Sequence, residues 1–255
     1  MNSLILPLFV FIYGLLIGSF LNVCIYRIPL GKTVVKGRSY CPACTALIPW
    51  YCNIPVFSYL FLKGKCLYCK SKISPIYPVV ELLNALSYLL VLYIYGFTLS
   101  GFFIMALFSI LIIISFIDIS LQIIPDGLVL LIGILGAGNA IYQILAFDAH
   151  WYNFVIGFFA ASLLLLLLGL VYENGMGGGD IKLMAAAGLF IGWKLILLSL
   201  FVGALYGGVA ALILILSKKG SLKSAIPFGP FLSLGIATCT LFGEQLLSLY
   251  LGLFM

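Results

Sequence analysis

The chain has 255 residues, 64% of them hydrophobic and 8% charged, with a formal net charge of +6 and a mean hydropathy of +1.28. Ordinary soluble domains carry about 25% charged residues, so this composition excludes a soluble globular protein and predicts an all-α polytopic membrane protein. At about 20 apolar residues per crossing the length allows up to about eight transmembrane helices and no large separate soluble domain.

The first apolar run, Leu4 to Tyr26, is expected to stay as a permanent helix. No basic region precedes it and Arg27 follows it, the reverse of the charge order in a cleaved signal. Residues 27–78 form the next segment. Between Arg27 and Lys72 lie eight of the thirteen Lys and Arg and no Asp or Glu, which predicts a cytoplasmic loop. The positive charge is read as topology and contact with anionic lipid headgroups, not as a nucleic-acid surface.

That loop contains Cys41-Pro42-Ala43-Cys44 and Cys66-Leu67-Tyr68-Cys69, two CxxC pairs separated by 21 residues. Four thiolates satisfy a tetrahedral Zn²⁺ and leave no open coordination position, so the expected site is structural. A reducing compartment argues against stable disulfides, and no βαβ pattern surrounds either pair to suggest a redox site. The loop is too small to fold on an apolar core alone, and metal binding is expected to supply much of its folding free energy. Cys24, Cys52 and Cys239 have no partner at ligand spacing and are read as packing residues.

The remaining spans are expected at Val79–Tyr95, Phe102–Ile117, Leu128–Phe147, Phe154–Tyr172, a short Ile181–Gly192, Leu195–Leu216 and Phe228–Phe254. With eight spans, twelve of the thirteen basic residues fall on the side of the cysteine loop and Lys194 alone on the other. Both termini then lie on the outer face.

Acids in such a chain are costly and each needs a reason. Asp148, beside His150 and Trp151, reads as a solvated outer-loop charge; Asp126 follows Pro125 and reads as a helix cap. Glu173 and Glu244 stand at helix ends, while Glu81 is expected either to cap the second helix or to face a cavity. Asp118 and Asp180 differ in kind. One ends the third helix and the other opens the sixth, so the topology brings both to the cytoplasmic side although 62 positions separate them. Two nearby carboxylates do not both ionise cheaply, and such a pair can work as acid and base on a peptide bond. The Gly177-Gly178-Gly179 run before Asp180 is expected to allow positive φ and close approach of an extended substrate.

These pieces in order resemble the type IV prepilin leader peptidases, of the GxGD aspartyl proteases. The resemblance is carried by Gly18-Ser19-Phe20-Leu21-Asn22-Val23, Tyr26-Arg27-Ile28-Pro29, the two CxxC pairs, Asn53-Ile54-Pro55 and Tyr77-Pro78-Val79-Val80-Glu81-Leu82. It continues in Phe116-Ile117-Asp118, Ile124-Pro125-Asp126, Gly177-Gly178-Gly179-Asp180-Ile181-Lys182 and Pro227-Phe228-Gly229-Pro230. It implies a bifunctional inner-membrane enzyme that removes the basic leader of prepilins or pseudopilins on the cytoplasmic side. The same enzyme then methylates the new N-terminal amine with S-adenosylmethionine. It also implies that Asp118 and Asp180 are the catalytic pair and that Cys41, Cys44, Cys66 and Cys69 form the zinc loop of the methylating members.

The implied organisation is a first helix over 1–26, a methylation-associated zinc loop over 27–78 and a peptidase core over 79–255. No glycine-rich cofactor fingerprint places the methyl donor. Two alternatives share some of these features, a presenilin-like intramembrane protease and a non-enzymatic ion-coupled transporter.

Overall fold

The computed structural model describes residues 2–171, 177–217 and 226–252. Glu173, Met176, Lys218, Lys219, Lys223 and the last residues of the predicted final span lie outside the described residues. Among the described residues the chain is helical, with no strand beyond the isolated bridges Tyr40↔Leu47 and Lys65↔Lys72. The helices are α1 (Asn2–Arg27), the one-turn α2 (Phe57–Phe61), α3 (Ile76–Tyr95), α4 (Leu99–Leu121), α5 (Asp126–Phe147), α6 (Trp151–Val171), α7 (Gly178–Ile191), α8 (Trp193–Leu216) and α9 (Gly229–Gly252).

Seven of these are long and apolar enough to cross a membrane, so the chain is a multi-pass membrane protein. The eighth expected span is α7. Its 14 residues reach about 21 Å at 1.5 Å per residue, short of the ~30 Å hydrocarbon core. Every expected span coincides with a helix, and most helices run a few residues further at their polar ends, where backbone bonding continues past the apolar run.

The chain divides into two units, Met1–Ile113 and Ile114–Met255, with the division falling inside α4. In the first unit α1 and α3 meet backbone to backbone. A Cβ on Gly14 would fall 2.6 Å from Ala85 Cα and one on Gly18 2.6 Å from Glu81 Cα. Small residues one turn apart allow this approach, which replaces apolar burial as the source of cohesion between helices in lipid. Polar groups pin the seam: Asn84 Nδ2 donates to Gly14 O at 2.8 Å, and the Ser109 hydroxyl donates to Asn84 Oδ1 at 2.9 Å.

In the second unit α7 is the buried element. Asp180, Leu183, Met184, Ala185, Ala186, Ala187, Gly188 and Phe190 are all inside. Gly188 crosses Gly157 of α6 at backbone contact, Gly136 of α5 faces Phe190, and Asn139 Nδ2 donates to Phe190 O at 3.1 Å. A run of Ala and Gly lets neighbouring helices close on α7, and this fixes the position of its first turn, where Asp180 stands.

Candidate active site and metal centre

Asp118 occupies the last turn of α4 and Asp180 the first turn of α7, and both are buried, at 5% and 8% exposure. Asp118 Oδ2 accepts the backbone N–H of Gly229 at 2.9 Å. The Asp180 side chain is held by Gly177, whose carbonyl also takes the Asp180 backbone N–H at 3.1 Å. Asp180 Oδ1 has no hydrogen-bond partner although it is buried. A lone carboxylate oxygen out of water is expensive, so this atom is placed to meet a proton, a water or a ligand.

The two acids are close enough for one charge to act on the other. Asp180 lies outside the seven crossing helices; burial first, and then the negative charge of Asp118, push its carboxyl up to about 6. Ile124, in the loop after α4, lies against both Gly179 and Gly229. A Cβ on Gly179 would fall 2.8 Å from Ile124 Cβ, and one on Gly229 2.7 Å from Asp118 Oδ2 and 3.3 Å from Ile124 Cδ1. The pair is therefore bordered by bare backbone from two helix N-termini.

Two expectations need correction. None of Gly177, Gly178 and Gly179 takes a positive φ; Gly177 is extended at φ −71° and ψ 133°, and the other two already belong to α7. What requires glycine here is the absence of a side chain at 177 and 179, where a Cβ would press on Asp180 and Ile124. Asp126 opens α5 and places its charge at the positive helix end as expected, but it makes no side-chain cap bond. Pro125 holds the cap position without a side-chain bond, and Asp126 instead pairs with Lys182 at 2.8 Å. With 58% and 73% of those side chains exposed, the pair contributes at most about 1 kcal/mol.

The four cysteines come together. One sulfur from each of Cys41, Cys44, Cys66 and Cys69 lies within 4.8 Å of all the others, and Cys41 Sγ is 3.9 Å from Cys69 Sγ. A zinc site with ~2.3 Å bonds has sulfur–sulfur edges of roughly 3.8 Å, so the donor set fits a metal ion of that size.

The two CxxC turns repeat one geometry. Cys41 N–H bonds Ala46 O and Cys66 N–H bonds Ser71 O, while Thr45 and Lys70 return to the Cys41 and Cys66 carbonyls with φ of 57° and 59°. Backbone N–H groups of Cys44 and Ala43 aim at the Cys41 sulfur and lower its thiol to about 6, toward the thiolate a metal requires. Little else holds this segment: within 28–75 only Cys41, Pro55, Ser58 and Cys66 are buried. Of the other cysteines, Cys24 and Cys239 are buried and Cys52 is half-buried.

Sequence reasoning left Glu81 open and missed Gly229 as a partner of the acid pair. Glu81 is buried in the second turn of α3, where Oε2 accepts the Val56 N–H at 2.7 Å and Ser19 adds a second hydrogen bond. It caps nothing and faces the loop.

A multi-pass membrane protein with a buried carboxylate pair on helix ends and a four-thiol knuckle is a narrow class. The bacterial peptidase A24 N-terminal domain matches residues 12–95, and the type IV leader peptidase family matches residues 105–212. A prepilin leader peptidase/N-methyltransferase of Bacillus subtilis (strain 168) is 34% identical over 246 residues, covering 94% of this chain and 96% of its own. Those of Legionella pneumophila and Neisseria gonorrhoeae are 32% and 36% identical, covering 100% and 87% of this chain and 99% and 85% of their own. No solved structure matches the chain. The chain belongs to the type IV leader peptidase family and is a membrane peptidase.

Proposed function

We propose that this enzyme cleaves the leader of type IV prepilins or pseudopilins at the cytoplasmic face of the bacterial inner membrane. It then methylates the new N-terminal amine with S-adenosylmethionine. The relatives named above supply the two activities, and the positive-inside bias of the cysteine loop supplies the orientation. The observation that carries the peptidase assignment is the burial of Asp118 and Asp180 beside glycine backbone at the ends of α4 and α7.

Each acid accepts one backbone N–H, Asp118 from Gly229 and Asp180 from Gly177, and the unpartnered Oδ1 of Asp180 separates their roles. Asp118, which receives the Gly229 N–H, is the partner better suited to carry charge. Asp180, whose Oδ1 lacks a donor, is the partner better suited to carry the proton. Asp118 takes a proton from water as the water oxygen bonds to the scissile carbonyl carbon, and Asp180 gives its proton to the carbonyl oxygen. Collapse of the tetrahedral adduct breaks the C–N bond while a proton passes to the leaving amine. The macroscopic pKa values belong to the pair. Gly177 and Gly179 leave room for the extended segment around the scissile bond.

Cys41, Cys44, Cys66 and Cys69 would hold Zn²⁺ as a closed structural site, fixing the 27–78 loop with no open position for chemistry. This loop is assigned to the methylation half of the work and residues 79–255 to the peptidase core, with lipid around both.

The test is mass spectrometry of a model prepilin incubated with the purified protein, with and without S-adenosylmethionine, beside Asp118→Asn and Asp180→Asn. Leader loss by wild type, one added methyl group only with the donor, and no cleavage by either variant are expected. Cleavage by a folded Asp variant would remove the dyad.

A further inference from the structure

The first unit contains a chamber of its own. It is a cavity of about 420 Å³ beneath the cysteine knuckles, lined only by residues between Ser19 and Glu81. That size falls within the ~300–1,000 Å³ range of small-molecule sites. Five tyrosines, Tyr26, Tyr40, Tyr59, Tyr68 and Tyr77, share its wall with the polar side chains Ser19, Asn22 and Glu81.

Its wall carries one acid, Glu81, and two bases, Arg27 and Lys72. Glu81 is 6% exposed and is the only Asp or Glu before Asp118. Among the described residues it forms no salt bridge, the one ion pair being Lys182 with Asp126. Arg27, also on the wall, is spent elsewhere: its guanidinium bonds the carbonyls of Thr33, Lys36, Gly37 and Arg38. Asn22 uses Nδ2 on the carbonyls of Tyr77 at 3.1 Å and Gly18 at 3.4 Å, which leaves its amide oxygen as an acceptor. A buried carboxylate without a cation is unfavourable. Beside tyrosine ring faces and the Asn22 amide oxygen, this carboxylate suits a positively charged ligand.

The backbone is strained at the same point. Val56 has φ 61° and ψ −50°, and the Phe57 N–H closes on Pro55 O at 2.6 Å. This is the positive-φ form of the γ-turn, rare and costly, and more so for a β-branched residue. Strain of this kind persists where surrounding structure over-determines it, as at ligand clamps. Here the strained residue aims its N–H at Glu81 Oε2.

We propose that this chamber binds S-adenosylmethionine, with Glu81 facing the sulfonium and the tyrosine rings facing the adenosine, an inference that rests on the methyltransferase reading above. In the transfer the amine lone pair forms the N–C bond while the C–S electron pair returns to sulfur. The positive charge passes from sulfur to the new secondary ammonium, and the carboxylate faces a cation throughout.

The experiment measures binding of S-adenosylmethionine and of its neutral product S-adenosylhomocysteine to full-length wild-type protein and Glu81→Gln by calorimetry. In parallel, wild type is photo-crosslinked to radiolabelled donor and the labelled peptides are mapped. Glu81→Gln should lose about tenfold or more in affinity for the charged donor and less than about threefold for the neutral product, the size of effect expected for one buried hydrogen-bonded charge. Label should fall within residues 19–81. Donor affinity unchanged in Glu81→Gln, or label confined to residues beyond 113, overturns the site. Wild type that binds neither compound overturns the methyltransferase reading itself. Cleavage of a model prepilin by Glu81→Gln verifies its fold, and if that variant does not cleave, the wild-type crosslink decides.

Discussion

Gly229 donates its backbone N–H to Asp118 Oδ2 at 2.9 Å, and any side chain at 229 would begin 2.7 Å from that same oxygen. The first turn of α9 therefore serves one catalytic candidate as both donor and spacer. Gly229→Ala should push the carboxylate aside and lower kcat for prepilin cleavage by about 100-fold, the loss typical of ~1 Å misplacement. Methyl transfer to a pre-cleaved pilin peptide should persist. Wild-type cleavage by this variant would show that the contact is incidental.

The acid pair predicts a pH dependence. With its carboxyl pushed up to about 6 by burial and by Asp118, Asp180 holds below that pH the proton that the proposed mechanism calls for, and loses it above. Cleavage should be highest near pH 6 and fall by about tenfold per pH unit well above it, measured as kcat/KM on a soluble model substrate. A rate flat from pH 6 to 9 would place the titrating acid elsewhere.

The four sulfurs within 4.8 Å of one another predict about one zinc per chain by elemental analysis. Cys41→Ser or Cys66→Ser should lower that content and abolish methylation before cleavage. Equal loss of both activities would make the loop a general folding element.

Asp126 and Lys182 form a close but exposed pair. Asp126→Asn should change thermal stability by less than about 1 kcal/mol and leave cleavage within about twofold. A variant without cleavage would bring Asp126 into the catalytic machinery.

Much of this arrangement is legible in the sequence because lipid permits little else. Long apolar runs have to be helices, so all eight expected spans have helical counterparts, and acids ending such runs stand out as Asp118 and Asp180 do. Equal spacing within the CxxC pairs made the thiol cluster readable as well. What composition does not carry is long-range partnership. Gly229 reaches Asp118 across 111 positions, and Val56 meets Glu81 through a backbone angle that no residue preference for valine suggests. The cap bond of Asp126 was misread because Pro125, with its fixed φ, already occupies the cap position. The glycine run was misread because freedom of φ and absence of Cβ are two properties of one residue, and α7 uses the second.

The glycine seam joining α1 to α3 also sets an order of events during synthesis. The first helix enters the bilayer with Gly14 and Gly18 bare, and the residues that cover them, Ala85 and Glu81, emerge only after the whole cysteine loop. Capture of the proposed Zn²⁺ would shorten that tether, and a shorter tether makes the mating of the two helices less costly. Zinc starvation should therefore leave chains with an unmated first helix, recognised and removed by membrane quality-control proteases, and the enzyme's abundance would fall along with its activity.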